Sequence, residues 1–307
     1  MRLKSALRRG VAAAVIAGIV VSSGIPAYAA RWDIAKGDIT VKAGDEGTNR
    51  VTQGEKENVE DTDTVITGES DKNTVTIDTS KGNVDVTFDD LKIDVSDETE
   101  GDVSGDSPVD AGKAAVTVQG DHDATIELDG DNELKSGGYN AGLEKNEHES
   151  KGTLTIKDDK GKDGSLTAEG GEGGGAGIGG GAEKTGSNIT IQGGTIEAEG
   201  GFGGAGIGGG IKSTGSNITI QGGTIEAVGG AGAAGIGDGV GARSEIDPNA
   251  PPSNPNHIII SGDAEVTAKA GSQMTDAKAP AIGGSYGEVP TENLSDDEHK
   301  VTGGRLT

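Results

Sequence analysis

Short runs of alternating apolar and polar residues recur along most of the chain, separated by glycine pairs. In residues 188–192, Ile189 and Ile191 alternate with Asn188, Thr190 and Gln192. In residues 195–199, Ile196 and Ala198 alternate with Thr195, Glu197 and Glu199. A period of two over four or five residues predicts strands with one buried side. The glycine pairs supply bends with positive φ. No stretch sustains a helical period.

The strands belong to a repeat. Residues 186–198 recur unchanged as 215–227, a step of 29 residues, and Ala-Gly-Ile-Gly at 176 recurs at 205 and 234 with the same step. The last block predicts a third strand centred on Ile178, Ile207 and Ile236. Three strands and three corners per repeat form one coil of a solenoid, so the expected fold is all-β: a right-handed, three-sided parallel β-helix with Gly-rich corners. Coils stack at ~4.8 Å, so equivalent positions form ladders.

Weaker copies extend the array. Downstream lie 257–260, 264–268 and 281–284; upstream lie 152–156 with 165–168, and 124–128 with 132–134 and 141–143. Farther upstream, 65–67, 74–78, 84–88, 91–95 and 115–119 also alternate and predict the first coils. The acidic, Gly/Ser/Pro-rich segment 97–110 and the proline-rich segment 247–256 predict exposed loops.

The chain begins with a different pattern. Arg2, Lys4, Arg8 and Arg9 precede an apolar run over 11–21, and Ala27-Tyr28-Ala29 follows as a small-x-small cleavage sequence. This predicts a signal peptide over 1–29, a mature chain starting near Ala30, and a secreted or cell-surface location without membrane insertion after cleavage. The expected organisation is one β-helix domain over 30–300, with loose acidic coils to about 120 and regular coils over about 121–285, and a C-terminal tail over 286–307. A monomer is expected.

Charge narrows the function. Removing four leader cations from 26 Lys+Arg, against 51 Asp+Glu, leaves 22 − 51 = −29. Such a surface repels nucleic acid and anionic lipid, and suits divalent cations or neutral sugars. There is no cysteine, and the four histidines show no metal-ligand spacing. A calcium-binding β-roll needs an Asp in each Gly-rich nonapeptide, and residues 173–181 have none. A flexible glycine linker would not keep a ladder of isoleucines.

Stacking the strands gives candidate sites. Thr167, Glu197, Glu226 and Thr267 form one outward column, and Glu169, Glu199, Val228 and Lys269 the next. Glu197 and Glu226, about 5 Å apart, would repel unless a cation such as calcium lay between them. Asp121, Asp123, Asp129 and Asp131 flank a strand pair and are further metal candidates. For a polysaccharide, the candidates are the polar ladders Asn188/Asn217 and Thr190/Thr219, Glu197 and Glu226, and the corner aromatics Tyr139 and Phe202. The Asn pair also reads as a structural amide ladder.

With the start Arg31-Trp32-Asp33-Ile34, the segment 140–146 and the Ala-Gly-Ile-Gly-Gly-Gly blocks laid out, roughly residues 31–285 resemble Gly-rich β-helix surface proteins of bacteria labelled carbohydrate-binding. That resemblance implies non-catalytic binding of a plant-type polysaccharide, cellulose or pectate, assisted by calcium; no ligand residue carries over by motif. Residues 286–307 hold no Leu-Pro-x-Thr-Gly sorting sequence and no apolar tail. Release, another attachment or a longer chain stay open. Two other functions compete: a rigid spacer without a ligand, and a polysaccharide lyase. The lyase is disfavoured because no arginine lies in the repeated strands, and because Glu197 and Glu226 are copies whose environments would not separate an acid from a base.

Overall fold

The structure, a computed structural model, describes residues 30–45, 47–97, 112–161, 163–242, 258–272, 279–284 and 298–302. The two expected loops lie almost wholly outside these residues. Elsewhere the alternation in the sequence becomes strands whose apolar positions point inward.

The N-terminal part contributes β1 (Arg31–Asp33), β2 (Ile39–Ala43), β3 (Asn49–Gln53) and β4 (Lys56–Asp61). The next two coils are β5 (Thr64–Ser70) with β6 (Val75–Asp78), and β7 (Val84–Asp94) with β8 (Val116–Gln119). In these coils one long strand bends through two sides, at Gly68 (φ 91°) in β5 and at Asp90 (φ 52°) in β7.

From β9 each coil has three separate strands. They run β9 (Ala124–Asp129), β10 (Asp131–Lys135), β11 (Leu143–Glu144); then β12 (Leu154–Lys157), β13 (Ser165–Glu169), β14 (Ile178–Gly179). The repeated coils are β15 (Gly186–Ile191), β16 (Thr195–Glu199), β17 (Ile207–Gly208), and β18 (Gly215–Ile220), β19 (Thr224–Val228), β20 (Ile236–Gly237). The last is β21 (Ile258–Ile260), β22 (Glu265–Lys269), β23 (Ile282–Gly283).

Side one stacks β7, β9, β12, β15, β18 and β21. Side two stacks β7, β10, β13, β16, β19 and β22. Side three stacks β2, β6, β8, β11, β14, β17, β20 and β23, all in parallel. The registers are those the repeat dictates. Leu154, Ile189, Ile218 and Ile258 are partners on side one, and Leu166, Ile196, Ile225 and Val266 on side two. Leu143, Ile178, Ile207, Ile236 and Ile282 are partners on side three. Most of these side chains are completely buried, and each isoleucine buried contributes about 1.5–3 kcal/mol.

Side three explains the glycine. From β11 onward its strands are two residues long, and the loops before and after them meet over their outer surface: Ala182 N–H donates to Tyr139 O, Ile211 N–H to Gly174 O, and Val240 N–H to Gly203 O, each at 2.7 Å. The blocks 176–181, 205–210 and 234–239 are therefore buried throughout. A Cβ on Gly206 would lie 2.7 Å from Gly235 O and from Val228 N of the next coil, so no larger residue fits between successive coils.

Antiparallel pairing marks both ends. At the N-terminus, β3 pairs with β2 and β4 with β3. Asn49 and Gln53 of β3 turn inward and donate to Asp85 O and Asp33 O, so polar amides close the core on satisfied bonds. Except for Asp61, β4 is exposed, and Lys56, Glu57 and Glu60 discourage further strand addition. At the other end β24 (Glu298–Thr302), within the expected tail, pairs antiparallel with β22.

Candidate functional site

With side three covered from β11 onward, sides one and two carry the outward side chains of those coils. On side two the register places Thr167, Glu197, Glu226 and Thr267 in one column, and Glu169, Glu199, Val228 and Lys269 in the next. Glu226 has its countercharge in Lys269, whose Nζ donates to Oε1 at 2.6 Å. Three coils toward the N-terminus, Lys135 bridges Glu133 at 2.9 Å and Glu169 at 3.4 Å. Those carboxylates hold the Lys135 ammonium above the ordinary lysine range, the Glu133 hydrogen bond contributing most. Side two is thus a mosaic of charges with cross-strand pairs.

The four aspartates lie at the two ends of β9, about 20 Å apart along the strand. Asp121 lines an open cleft with Ser80, Gln119, Gly120 and Glu149. Asp123 accepts from Thr153 N–H at 2.8 Å. At the other end Asp131 accepts from Ser165 O–H at 2.9 Å. Asp129 is pushed above the usual carboxylate range by burial and then by Asp89, Asp163 and Asp90, with Arg31 opposing. Arg31 is ion-paired to Asp89 at 2.5 Å. Among the described residues no three His, Cys, Asp or Glu side chains converge on one metal position. Calcium takes six to eight oxygens, so these carboxylates as arranged do not fit such a centre.

Side one is different in chemistry. Thr125, Thr155, Thr190 and Thr219 form a continuous outward threonine column that ends at Ile259. Asn188 and Asn217 flank it in left-handed backbone, φ 55° and 53°. The Asn217 amide donates to Asn188 Oδ1 at 2.5 Å, and the Asn188 amide to Lys151 O at 2.9 Å. These amides form a ladder and use part of their hydrogen-bonding capacity on each other. On the other flank Gln192 and Gln221 sit in adjacent coils, 3.4 Å apart at their amide groups. Sequence reading identified Thr190/Thr219 and Asn188/Asn217 but missed the glutamines and the two upstream threonines. Extending the strand alignment by one residue and two coils would have found them.

Tyr139 and Phe202 are 38% and 52% exposed. They lie two coils apart on the outer loop layer of side three, away from the side-one ladders. A Cβ on Gly173 would come 2.7 Å from Tyr139 Cδ1, so the tyrosine ring lies on bare backbone.

The segment 140–146 is an internal brace. Glu144 accepts from Ala141 N–H at 3.1 Å and from the Asn146 amide at 2.9 Å, and Asn146 Oδ1 accepts from Gly181 N–H at 2.9 Å. Burial pushes the Glu144 carboxyl above its ordinary value. Lys145 is completely buried and donates to the carbonyls of Ser150 and Ser187, each at 3.0 Å; burial lowers it to about 8.

The described residues form a parallel β-helix with two open sides. A family model described as a beta helix repeat matches residues 189–211 and 218–240, two successive coils. No curated protein and no solved structure matches the chain. The repeat defines a scaffold compatible with non-catalytic roles, and scaffolds of this class also occur in lyases, so function has to be argued from the exposed sides.

Proposed function

We propose that the chain is a secreted or cell-surface, non-catalytic binding protein for a neutral polysaccharide, held along side one. One observation carries this reading. In a chain of net charge −25, the outward positions of β15, β18 and β21 and the residues just beyond them are Asn188, Thr190, Gln192, Asn217, Thr219, Gln221, Ile259 and Ser261. None is charged. The surface is about 13 Å wide and 10 Å tall, with like hydroxyls and amides repeating every ~4.8 Å. A polymer presents repeating hydroxyls, and parallel ladders can meet them in register. A polyuronate would face the field of the surrounding carboxylates, so the neutral, cellulose-type polymer is favoured over pectate.

A pull-down of residues 30–307 on insoluble cellulose and on pectate gel, with calcium and with chelator, tests this. Retention on cellulose that survives chelator and is lost in T190E/T219E is the expected result. No retention on cellulose overturns the reading and leaves a rod without a ligand. Release of unsaturated products would make the protein a lyase.

A further inference from the structure

We infer that cleavage before Ala30 creates a buried ion pair, between the new α-ammonium of Ala30 and Asp61, that completes the N-terminal cap. Asp61, the last residue of β4, is completely buried. Its Oδ2 accepts from Trp32 Nε1 at 2.7 Å, and its Oδ1 accepts from Asp63 N–H at 3.3 Å and from Ala30 N–H at 3.1 Å. Ala30 is held in place on its other side, where its carbonyl accepts from Val65 N–H at 3.2 Å. Among the described residues no Lys or Arg side chain pairs with Asp61; Lys56 instead lies over the Trp32 ring, 5.2 Å from its centroid.

A buried carboxylate without a cation is costly, and a charge-assisted hydrogen bond is shorter and stronger than a neutral one. The atom that can supply the charge is already in position. The leader pattern ends in Ala27-Tyr28-Ala29, which places the scissile bond at Ala29–Ala30. Hydrolysis of that bond by a leader peptidase consumes one water, leaves a carboxylate on Ala29 and an amine on Ala30, and the amine takes a proton at neutral pH. The same nitrogen that donates as a neutral amide in the precursor then donates as an ammonium. In the precursor the cap lacks its cation, so the N-terminal coil gains its full stability only after processing.

The experiment has two arms, because the inference rests on the leader reading. First, the exported protein is sequenced from its N-terminus; a start at Ala30 is expected, and any other start overturns the inference. Second, chains beginning at Ala30 are compared with chains carrying a Gly-Ser extension before Ala30, each with Asp61 and with D61N. Unfolding is followed by the fluorescence of Trp32, the sole tryptophan, which reports this cap. The extension is expected to lower Tm by several degrees with Asp61 and to leave it unchanged with Asn at 61. An extension effect of equal size in both backgrounds, or none in either, refutes the ion pair even if processing occurs at Ala30.

Discussion

Replacing Gly208 by alanine tests why side three is built of glycine. Gly208 has φ +138°, and an added Cβ would lie 2.0 Å from Gly237 O and 2.9 Å from Gly237 C in the next coil. Gly283 occupies the same column one coil beyond Gly237, with φ +120°, and among the described residues nothing lies within 4 Å of its Cβ position. Both substitutions carry the backbone term for an L residue at positive φ, about 1–2 kcal/mol. Only G208A adds a collision with a neighbouring backbone. That carbonyl accepts from Gly209 N–H at 2.9 Å, so the coils cannot separate without weakening a buried ladder bond. Overpacking costs about 1–3 kcal/mol and a lost buried bond about 1–3 kcal/mol more. The expected destabilisation is therefore roughly 3–8 kcal/mol for G208A against about 1–2 kcal/mol for G283A. Urea unfolding followed by far-ultraviolet circular dichroism measures the difference, and hydrogen exchange at side-three amides locates it. If G208A comes within about 1 kcal/mol of G283A, inter-coil sterics do not explain the glycine ladder.

Other predictions follow from single side chains. Lys145, lowered to about 8 from 10.5, holds its proton less tightly folded than unfolded, so its contribution to stability rises as pH climbs from about 8 to 10.5. That rise, up to about 3 kcal/mol, should vanish in K145M when urea midpoints are compared at pH 7.5 and 10. N188A should be about 1–2 kcal/mol less stable than N188G, because both lose the amide ladder but only alanine strains the left-handed backbone. Neutralising Glu226 as E226Q should change stability by less than about 1 kcal/mol, because its pair with Lys269 is half-exposed. F202A should leave Tm unchanged, given how little of that ring packs.

The coil registers were legible because one repeat copies another. Aligning 186–198 with 215–227 fixes which residues stack, and the columns through Glu197 and Glu226 follow by counting. Glycine was legible as bends: Gly194 and Gly223 take φ of 89° and 93° at the side-one to side-two corner. Its role on side three was not, because the nearest clash partners of Gly206 and Gly208, namely Gly235, Val228 and Gly237, lie in the next coil. The cap was missed for a related reason. Residues 39–43 alternate like the other strands, and nothing local shows that β3 and β4 reverse direction. Asp61 looks like any surface acid in sequence; only the fold brings Ala30 and Trp32 to it. The charge pair between Lys269 and Glu226 was hidden by a separation of 43 residues and a diagonal contact.

Parallel, in-register stacking places like residues on like, and this constrains what each open side can carry. Asn, Thr and Gln are compatible with copies of themselves, because an amide or hydroxyl both donates and accepts. Side one can therefore repeat Ser-Asn-Ile-Thr-Ile-Gln from one coil to the next, and the Asn and Gln amides of successive coils approach each other. Glutamate is not compatible with itself, since like charges opposite one another destabilise a sheet. Side two repeats Glu197 as Glu226, but the adjoining column changes from Glu199 to Val228 and then to Lys269, which turns back to Glu226. Charge on this scaffold has to be broken up within about two coils, whereas neutral polar ladders can continue. An extended ligand with a regular repeat needs a surface that continues. That requirement, more than any individual side chain, separates side one from side two as the place to bind it.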